Sequence, residues 1–499
     1  MKYRRFISFI AILALFLINI VSGPGCANMV PPQGGPKDTL SPVIVRLDPR
    51  DSSRNFTGNK VTIVFDEYID IDNVQQNLIV SPLPKTAPTV SRKLNELTIK
   101  IRDTLEARTT YTFNFGNAIK DINEGNVLKN YTYLFSTGPQ IDSMQLSGQV
   151  ILAETGDYDT TLTVMLHRSG VDSAVQKERP RYVAKLDGQS RFQFKNIAPG
   201  TYYIYALQDE GGGYRYMNTD RLFAFADSAI VLGGSPKPVT LYAYATKPLP
   251  GAATTTGTTT GRNRAADKRL KYTTTVREKM HGLLEPFRFQ FETPLKSFDS
   301  TKLQLTMDSA HTPVTNYSWE LDTLKKTVTL KYTWLEDKLY HIIIQKDFAT
   351  DTLNQQLLRT DTVDFTTRNK KDYGAFQLKF RNLDLAGNPV LQIVQNGEVI
   401  ESYPLTTATL KQPLFLPGEY SLRILHDTNK NGKWDAGVFF GKRKQPELVT
   451  PLQRRINIRQ NIDNEFELDA TPASNSGAIP PSSGYPISPV RGNQQPGNR

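Results

Sequence analysis

The chain has a single cysteine, Cys26, among 499 residues. One thiol excludes an internal disulfide, and with it the small stapled folds of secreted proteins. Tryptophan (3) and histidine (5) are also scarce, and His167, His281, His311, His341 and His426 stand far apart with no H-E-x-x-H pair. There is no G-x-S-x-G elbow, no phosphate-cradling P-loop and no dinucleotide fingerprint, so the chemistries that those motifs carry have no foothold. The paired carboxylates of a glycosidase have no fixed spacing, which keeps a glycan-acting enzyme open as the last-ranked reading. Apolar residues at helical spacing are missing too. What replaces them is alternation rich in Thr, Tyr and Phe, the pattern of strands with one buried face. Only one long apolar run exists, Phe6 to Val21.

That run decides the compartment. A basic start (Lys2, Arg4, Arg5) precedes it, and a break of small residues (Ser22, Gly23, Pro24, Gly25) follows it, immediately before Cys26. This is the order of an export signal, and the run is short of the roughly 20 residues that a spanning helix needs. Placed there, the lone cysteine resembles the lipid acceptor of bacterial lipoproteins, which implies a signal peptide over 1–25 and attachment to the membrane through Cys26. Gly23 stands where that pattern usually has leucine. Cleavage after Ala27 and an uncleaved anchor helix therefore stay open as alternatives. The net charge of +11 does not point to nucleic acid in an exported chain. It suits acidic head groups or glycans, or simply a solvated surface.

Beyond the signal, composition divides the chain. Residues 26–40 carry Pro, Gly and polar residues without periodicity and read as a tether. Residues 41–138 alternate: Val61, Ile63, Phe65; Leu97, Ile99, Ile101; Tyr111, Phe113, Phe115. Short strands at this spacing predict a sandwich. The order F-D-E-Y (65–68), T-T-Y-T-F-N-F-G-N-A-I-K-D (109–121), E-G-N (124–126) and F-S-T-G (135–138) resembles the bacterial Ig-like domain of the S-layer-protein (SbsA-like) type, which implies a spacer or adhesive module with no catalytic residue. Residues 143–246 contain R-F-Q-F-K-N-I-A-P-G-T-Y-Y-I-Y-A-L-Q-D (191–209), similar to the hairpin of carboxypeptidase regulatory-like, transthyretin-like sandwiches.

A Gly/Thr/Ala linker over 247–270 then separates two halves that repeat. Phe287 to Glu292 parallels Val61 to Asp66, Lys326 to Tyr332 parallels the Leu97 strand, Tyr340 to Lys346 parallels Tyr111 to Asn117, and Asp364 to Thr367 parallels the F-S-T-G end. Residues 271–368 are thus expected to form a diverged Ig-like sandwich that has lost the G-N-A-I-K-D segment. Residues 372–470 are expected to form a second transthyretin-like sandwich, because L-P-G-E-Y-S-L-R-I-L-H-D (416–427) repeats 198–209 without a gap. The Pro/Ser/Gly-rich end, 471–499, cannot bury enough apolar surface to fold. The expected fold class is all-β: tandem Ig-like and transthyretin-like sandwiches strung as a rod, with an N-terminal signal helix and a disordered C-terminal tail.

Two patterns are candidate sites. D-T-N-K-N-G-K-W-D (427–435) sets oxygen side chains at positions 1, 3, 5 and 9 (Asp427, Asn429, Asn431, Asp435), glycine at 6 (Gly432) and a carbonyl at 7 (Lys433). That spacing is similar to the EF-hand calcium loop. Position 12 is Val438 instead of glutamate, so a remote carboxylate such as Glu447 would have to substitute; an Asx-rich turn with Trp434 packed on the sandwich is the competing reading. Asp66-Glu67 with Asp121 to Glu124 is a second acidic set, for which turn conformation is the simpler account. Asp followed by Ser or Thr and a small or apolar residue recurs at 38–40, 103–105, 142–144, 172–174, 308–310 and 351–353. This is similar to an O-glycosylation acceptor of one group of Gram-negative bacteria and equally suits turns. The expectation is a non-catalytic envelope lipoprotein, placed at the outer membrane, that serves as a structural or adhesive scaffold. Binding of a glycan or another envelope component is the alternative, and calcium is the one cofactor in view.

Overall fold

The computed structural model describes residues 37–209, 211–234, 236–246 and 269–471, without the side chains of residues 75 and 76. The expected signal helix, Cys26, the start of the tether, most of the linker and the tail lie outside the described residues. The molecule is all-β, as the alternation predicts. It divides into two compact units, one ending at Asp142 and one beginning at Ser143.

In the first unit a four-stranded sheet is ordered Ile44–Asp48, Lys60–Phe65, Glu96–Lys100, Thr89–Lys93, and a three-stranded sheet Tyr131–Ser136, Thr110–Gly116, Ile79–Ser81. Period-2 alternation sends Val61, Ile63, Phe65, Leu97 and Ile99 inward from one sheet, to meet Phe113, Phe115, Tyr133 and Phe135 from the other. Burying each such side chain contributes on the order of 1.5–3 kcal/mol. The G-N-A-I-K-D segment forms Ile119–Asp121, which pairs with Ile69–Ile71. Its last residue, Asp121, is buried and accepts the amides of Glu124, Gly125 and Asn126, so the E-G-N turn is wrapped around one carboxylate.

Within the second unit, residues 272–367 use the same strand order: Tyr272–Thr274, Phe287–Phe291, Thr327–Lys331, Ser318–Leu321 in one sheet, with Leu303–Met307, Leu339–Ile344 and Asp361–Thr367 in the other. The segment missing from the sequence is replaced in space. Ala349–Asp351 pairs with Leu295–Phe298, and buried Asp351 accepts the amides of Leu353 and Gln355 as Asp121 does in the first unit. Leu270, assigned to the linker by composition, is buried in this core and donates its amide to Gln356.

Residues 144–243 and 374–469 share a topology. In each, the first strand is flanked by an antiparallel strand and by a parallel last strand: Met144–Leu152 with Arg191–Ile197 and Val239–Ala243, and Gly374–Arg381 with Thr409–Phe415 and Asp463–Asp469. The opposing sheets run Tyr182–Lys185, Leu162–His167, Gly200–Gln208, Phe223–Phe225 and Glu398–Pro404, Pro389–Gln395, Gly418–His426, Val449–Pro451. The shared P-G-x-Y motif has a specific job. Tyr202 donates its hydroxyl to the Ala198 carbonyl at 3.0 Å and Tyr420 to that of Leu416 at 2.9 Å, so each ring crosses its own turn and enters the core.

The expectation of a rod fails for the second unit. Residues 143–246 and 372–470 pack directly on each other although the third sandwich lies between them in sequence: the Val449 amide donates to the Ala153 carbonyl at 3.0 Å, and Arg443 holds Asp172 at 2.7 Å. Apolar residues on both faces of the strands Leu162–His167 and Gly200–Gln208 are the cause, since a sheet whose outer face is also apolar must cover it.

Candidate functional site

The strand Gly418–His426 delivers its chain end at Asp427, where the calcium-like loop begins. Asp427 is buried, and its carboxylate accepts the amides of Asn431 at 3.2 Å and Gly432 at 2.6 Å. Gly432 has φ +74°, the left-handed conformation that glycine adopts without strain, as position 6 requires. The Asn429 side-chain oxygen accepts from the Asn431 amide and that of Asn431 from the Lys433 amide, while both Asn side-chain nitrogens donate to one oxygen of Asp435. Asp427, Asn429, Asn431 and Asp435 therefore do come together.

Glu447 completes the group. It is buried; one carboxylate oxygen accepts from the amide (2.8 Å) and hydroxyl (2.7 Å) of Thr428, and the other from the Asp435 amide at 3.2 Å. Trp434 donates its indole N–H to the Glu447 carbonyl at 2.7 Å and packs beside Val390, Leu425 and Val449. Carboxylates and amide oxygens are the donor chemistry of a hard cation such as calcium. In the arrangement seen here those oxygens serve the loop's own amides, the Asx-turn pattern, and an ion would have to draw some of them away. Among the described residues no three His, Cys, Asp or Glu side chains converge as a metal site.

The other acidic set gathers as well. Burial first, and then the charges of Asp121, Asp66, Asp38 and Glu124, hold the Glu67 carboxyl above its usual range. For Asp121 burial works upward, but the amides of Gly125, Asn126, Glu124 and Asn123 outweigh it and hold the group below the usual range.

Sequence reading missed one cluster. His311 and His341, expected to be far apart, have ring centroids 4.3 Å apart. His341 directs Nδ1 at Asp364 (2.7 Å) and Nε2 at the Asp308 carbonyl (3.0 Å), so both of its nitrogens are engaged and neither is free for a metal or substrate. The pairing comes from Leu339–Ile344 running beside Leu303–Met307 and Asp361–Thr367, which residue spacing alone does not reveal.

In the Asp-Ser/Thr pieces, Thr39, Thr104, Ser143, Ser309 and Thr352 are exposed, whereas Ser173 is half-buried. Asp38, Asp308 and Asp351 each accept the amide two residues on at 2.9 Å, which is the Asx turn. Tyr68 and Tyr158 are the large aromatics at the exposed end of the scale among the described residues, and all three tryptophans are buried or half-buried, so no aromatic row is displayed there.

Residues 38–137 match the bacterial Ig-like domain family. No curated protein matches the chain. Among solved structures, the Bacillus anthracis TIE protein is 11% identical, with 88% of this chain and 76% of that one covered and a TM-score of 0.16. BcpA, the major pilin subunit of Bacillus cereus, is 8% identical over 65% and 99%, with a TM-score of 0.16. The S-layer protein SbsC is 11% identical over 85% and 54%, with a TM-score of 0.15. Superposition this poor lends no argument about the work of this chain.

Proposed function

We propose that this chain is a non-catalytic cell-envelope lipoprotein, held at the outer membrane by lipid on Cys26 and serving as a β-sandwich scaffold. The observation that carries the reading is the lone cysteine just after a basic start, an apolar run and a small-residue break, followed beyond a short tether by residues 38–137, which match a bacterial Ig-like domain. Two or more acyl chains anchor a protein stably where one does so only marginally, and a lipidated N-terminal cysteine supplies them. The intact mass of membrane-extracted protein tests this. A start at Cys26 with added diacylglyceryl and acyl mass is expected; an unmodified cysteine, or a start at Asn28, would sink it.

The loop 427–435 is read as a weak calcium site on the same scaffold. What supports this is Glu447, a carboxylate from outside the loop that accepts the Thr428 and Asp435 amides at the loop's two ends.

A further inference from the structure

Between Asp435 and Glu447 the fourth sandwich extends an arm, residues 436–446, that leaves its own fold and lies on the second sandwich. The arm is a tight hairpin: Val438 and Lys444 exchange both backbone hydrogen bonds at 2.8 Å, and the Arg443 amide reaches the Phe439 carbonyl at 3.0 Å. Its tip is aromatic. Phe439, 3% exposed, has its ring 5.1 Å from both Phe223 and Phe225 and 5.7 Å from Tyr205, and Phe440 stacks on Tyr216 at 5.8 Å.

Polar contacts fix the register. Arg443 holds the Asp172 carboxylate and the Gly170 carbonyl, the Gly441 amide reaches the same carboxylate at 3.1 Å, and Gln445 donates to Asp227 (2.7 Å) and to the Phe225 carbonyl (3.0 Å). The embrace is mutual, because the 153–157 turn of the second sandwich lies on the fourth. A Cβ at Gly156 would stand 2.3 Å from Pro451, and the buried Arg423 guanidinium reaches the Glu154 carbonyl at 3.5 Å. The equivalent connection in the second sandwich, 209–222, is shorter than 427–448 and has no counterpart of the hairpin among its described residues.

The base of the arm is closed by one residue. The Glu447 amide donates to the Asp435 carbonyl at 3.0 Å, its carboxylate takes the Asp435 amide, and the same carboxylate holds Thr428 on the strand end. Both roots of the hairpin are thus tied to the sandwich through Glu447. Because the partners belong to one chain, docking does not bear the full entropy of association, and a modest set of contacts suffices to hold it.

We propose that residues 436–446 are an interdomain latch set by Glu447, whose release turns residues 143–471 from a closed unit into an open string of sandwiches. The latch does not rest on the calcium reading, and its test is run in chelator. In full-length protein with Cys26→Ser, Asp227→Cys and Gln445→Cys place two thiols where the returning strand of the arm meets the second sandwich, and a short bis-maleimide reports closure as a shifted monomer band. Crosslinking is expected to be rapid. It should fall about tenfold in Glu447→Gln, which keeps the shape but loses charge-assisted hydrogen bonds. Gly437→Val is the second probe: even a Cβ there would come within 2.7 Å of the Tyr244 ring and 3.0 Å of the arm's own Lys444 carbonyl, so it wedges the arm off the second sandwich. Small-angle scattering should show a larger radius of gyration for both variants. Failure of the parent pair to crosslink, a dimer band in its place, or crosslinking of both variants at the parent rate would overturn the latch.

Discussion

His167 shows how one buried side chain carries a condition on pH. It is 1% exposed, lies edge-on to Tyr205 at 5.5 Å on the face covered by the arm, and has no hydrogen-bond partner for either ring nitrogen. Burial pushes its pKa down to about 4, whereas the unfolded ring titrates near 6.5. Between those values the unfolded chain binds the extra proton. Stability is therefore full above about pH 6.5 and falls as pH drops toward 4, by up to roughly 1.4 kcal/mol per unit for one group. His281 and His426 are lowered in the same direction by burial, so the comparison needed is wild type against His167→Phe. Melting curves across this window should show a shallower pH slope in the variant; equal slopes would remove His167 as the cause. The corner tyrosines give a second prediction at this scale. Tyr202→Phe and Tyr420→Phe each lose one hydroxyl bond to a carbonyl and should each destabilise their sandwich by about 1 kcal/mol, read from denaturant midpoints.

Loops and strands differ in how far they were legible. The P-G-x-Y hairpin repeats in sequence because a turn and a ring that crosses it leave little choice of residue, and the alternating strands repeat because the cores demand it. The partner of Asp121 was not legible: Asp351 does the same work from a segment with no shared letters, since any carboxylate that can gather backbone amides will serve. Nor was the pairing of His311 with His341, which depends on strand register. At the loop 427–435 the spacing marks residues that assemble, whereas Glu447 stands at no fixed spacing from them; its buried seat is set by the arm's return. Calcium should raise the melting temperature of the full chain relative to chelator. At ten times a millimolar dissociation constant the stabilisation is about 1.4 kcal/mol. Asp427→Ala should abolish the shift, and an unchanged melt in wild type would discard calcium.

At the scale of the molecule, the missed feature is docking of sandwiches distant in sequence. The signal was present in T-V-M-L-H and Y-Y-I-Y-A-L, strands apolar on both faces, where a solitary sandwich needs only one. Docking also changes what proteolysis should reveal. Mild digestion is expected to cut first in the Gly/Thr/Ala stretch 248–268 and after Ala470, because that composition offers no packing. The fragments on either side of the first cut should nevertheless elute together on gel filtration, since one carries Phe223 and Asp172 and the other Phe439 and Arg443. Separate elution would mean that the contacts do not hold without the covalent link.

The mutual grip of the second and fourth sandwiches also has a mechanical meaning. For a chain tied to a membrane at one end and pulled from beyond residue 471, force entering at 143 passes through the Arg443–Asp172 and Phe439 contacts and bypasses the linker and the third sandwich altogether. The third sandwich then bears no load while the bypass holds. When it yields, the third sandwich comes under load in turn, so the domain interposed in sequence would act as a reserve of length guarded by the hairpin and by the 153–157 turn that answers it.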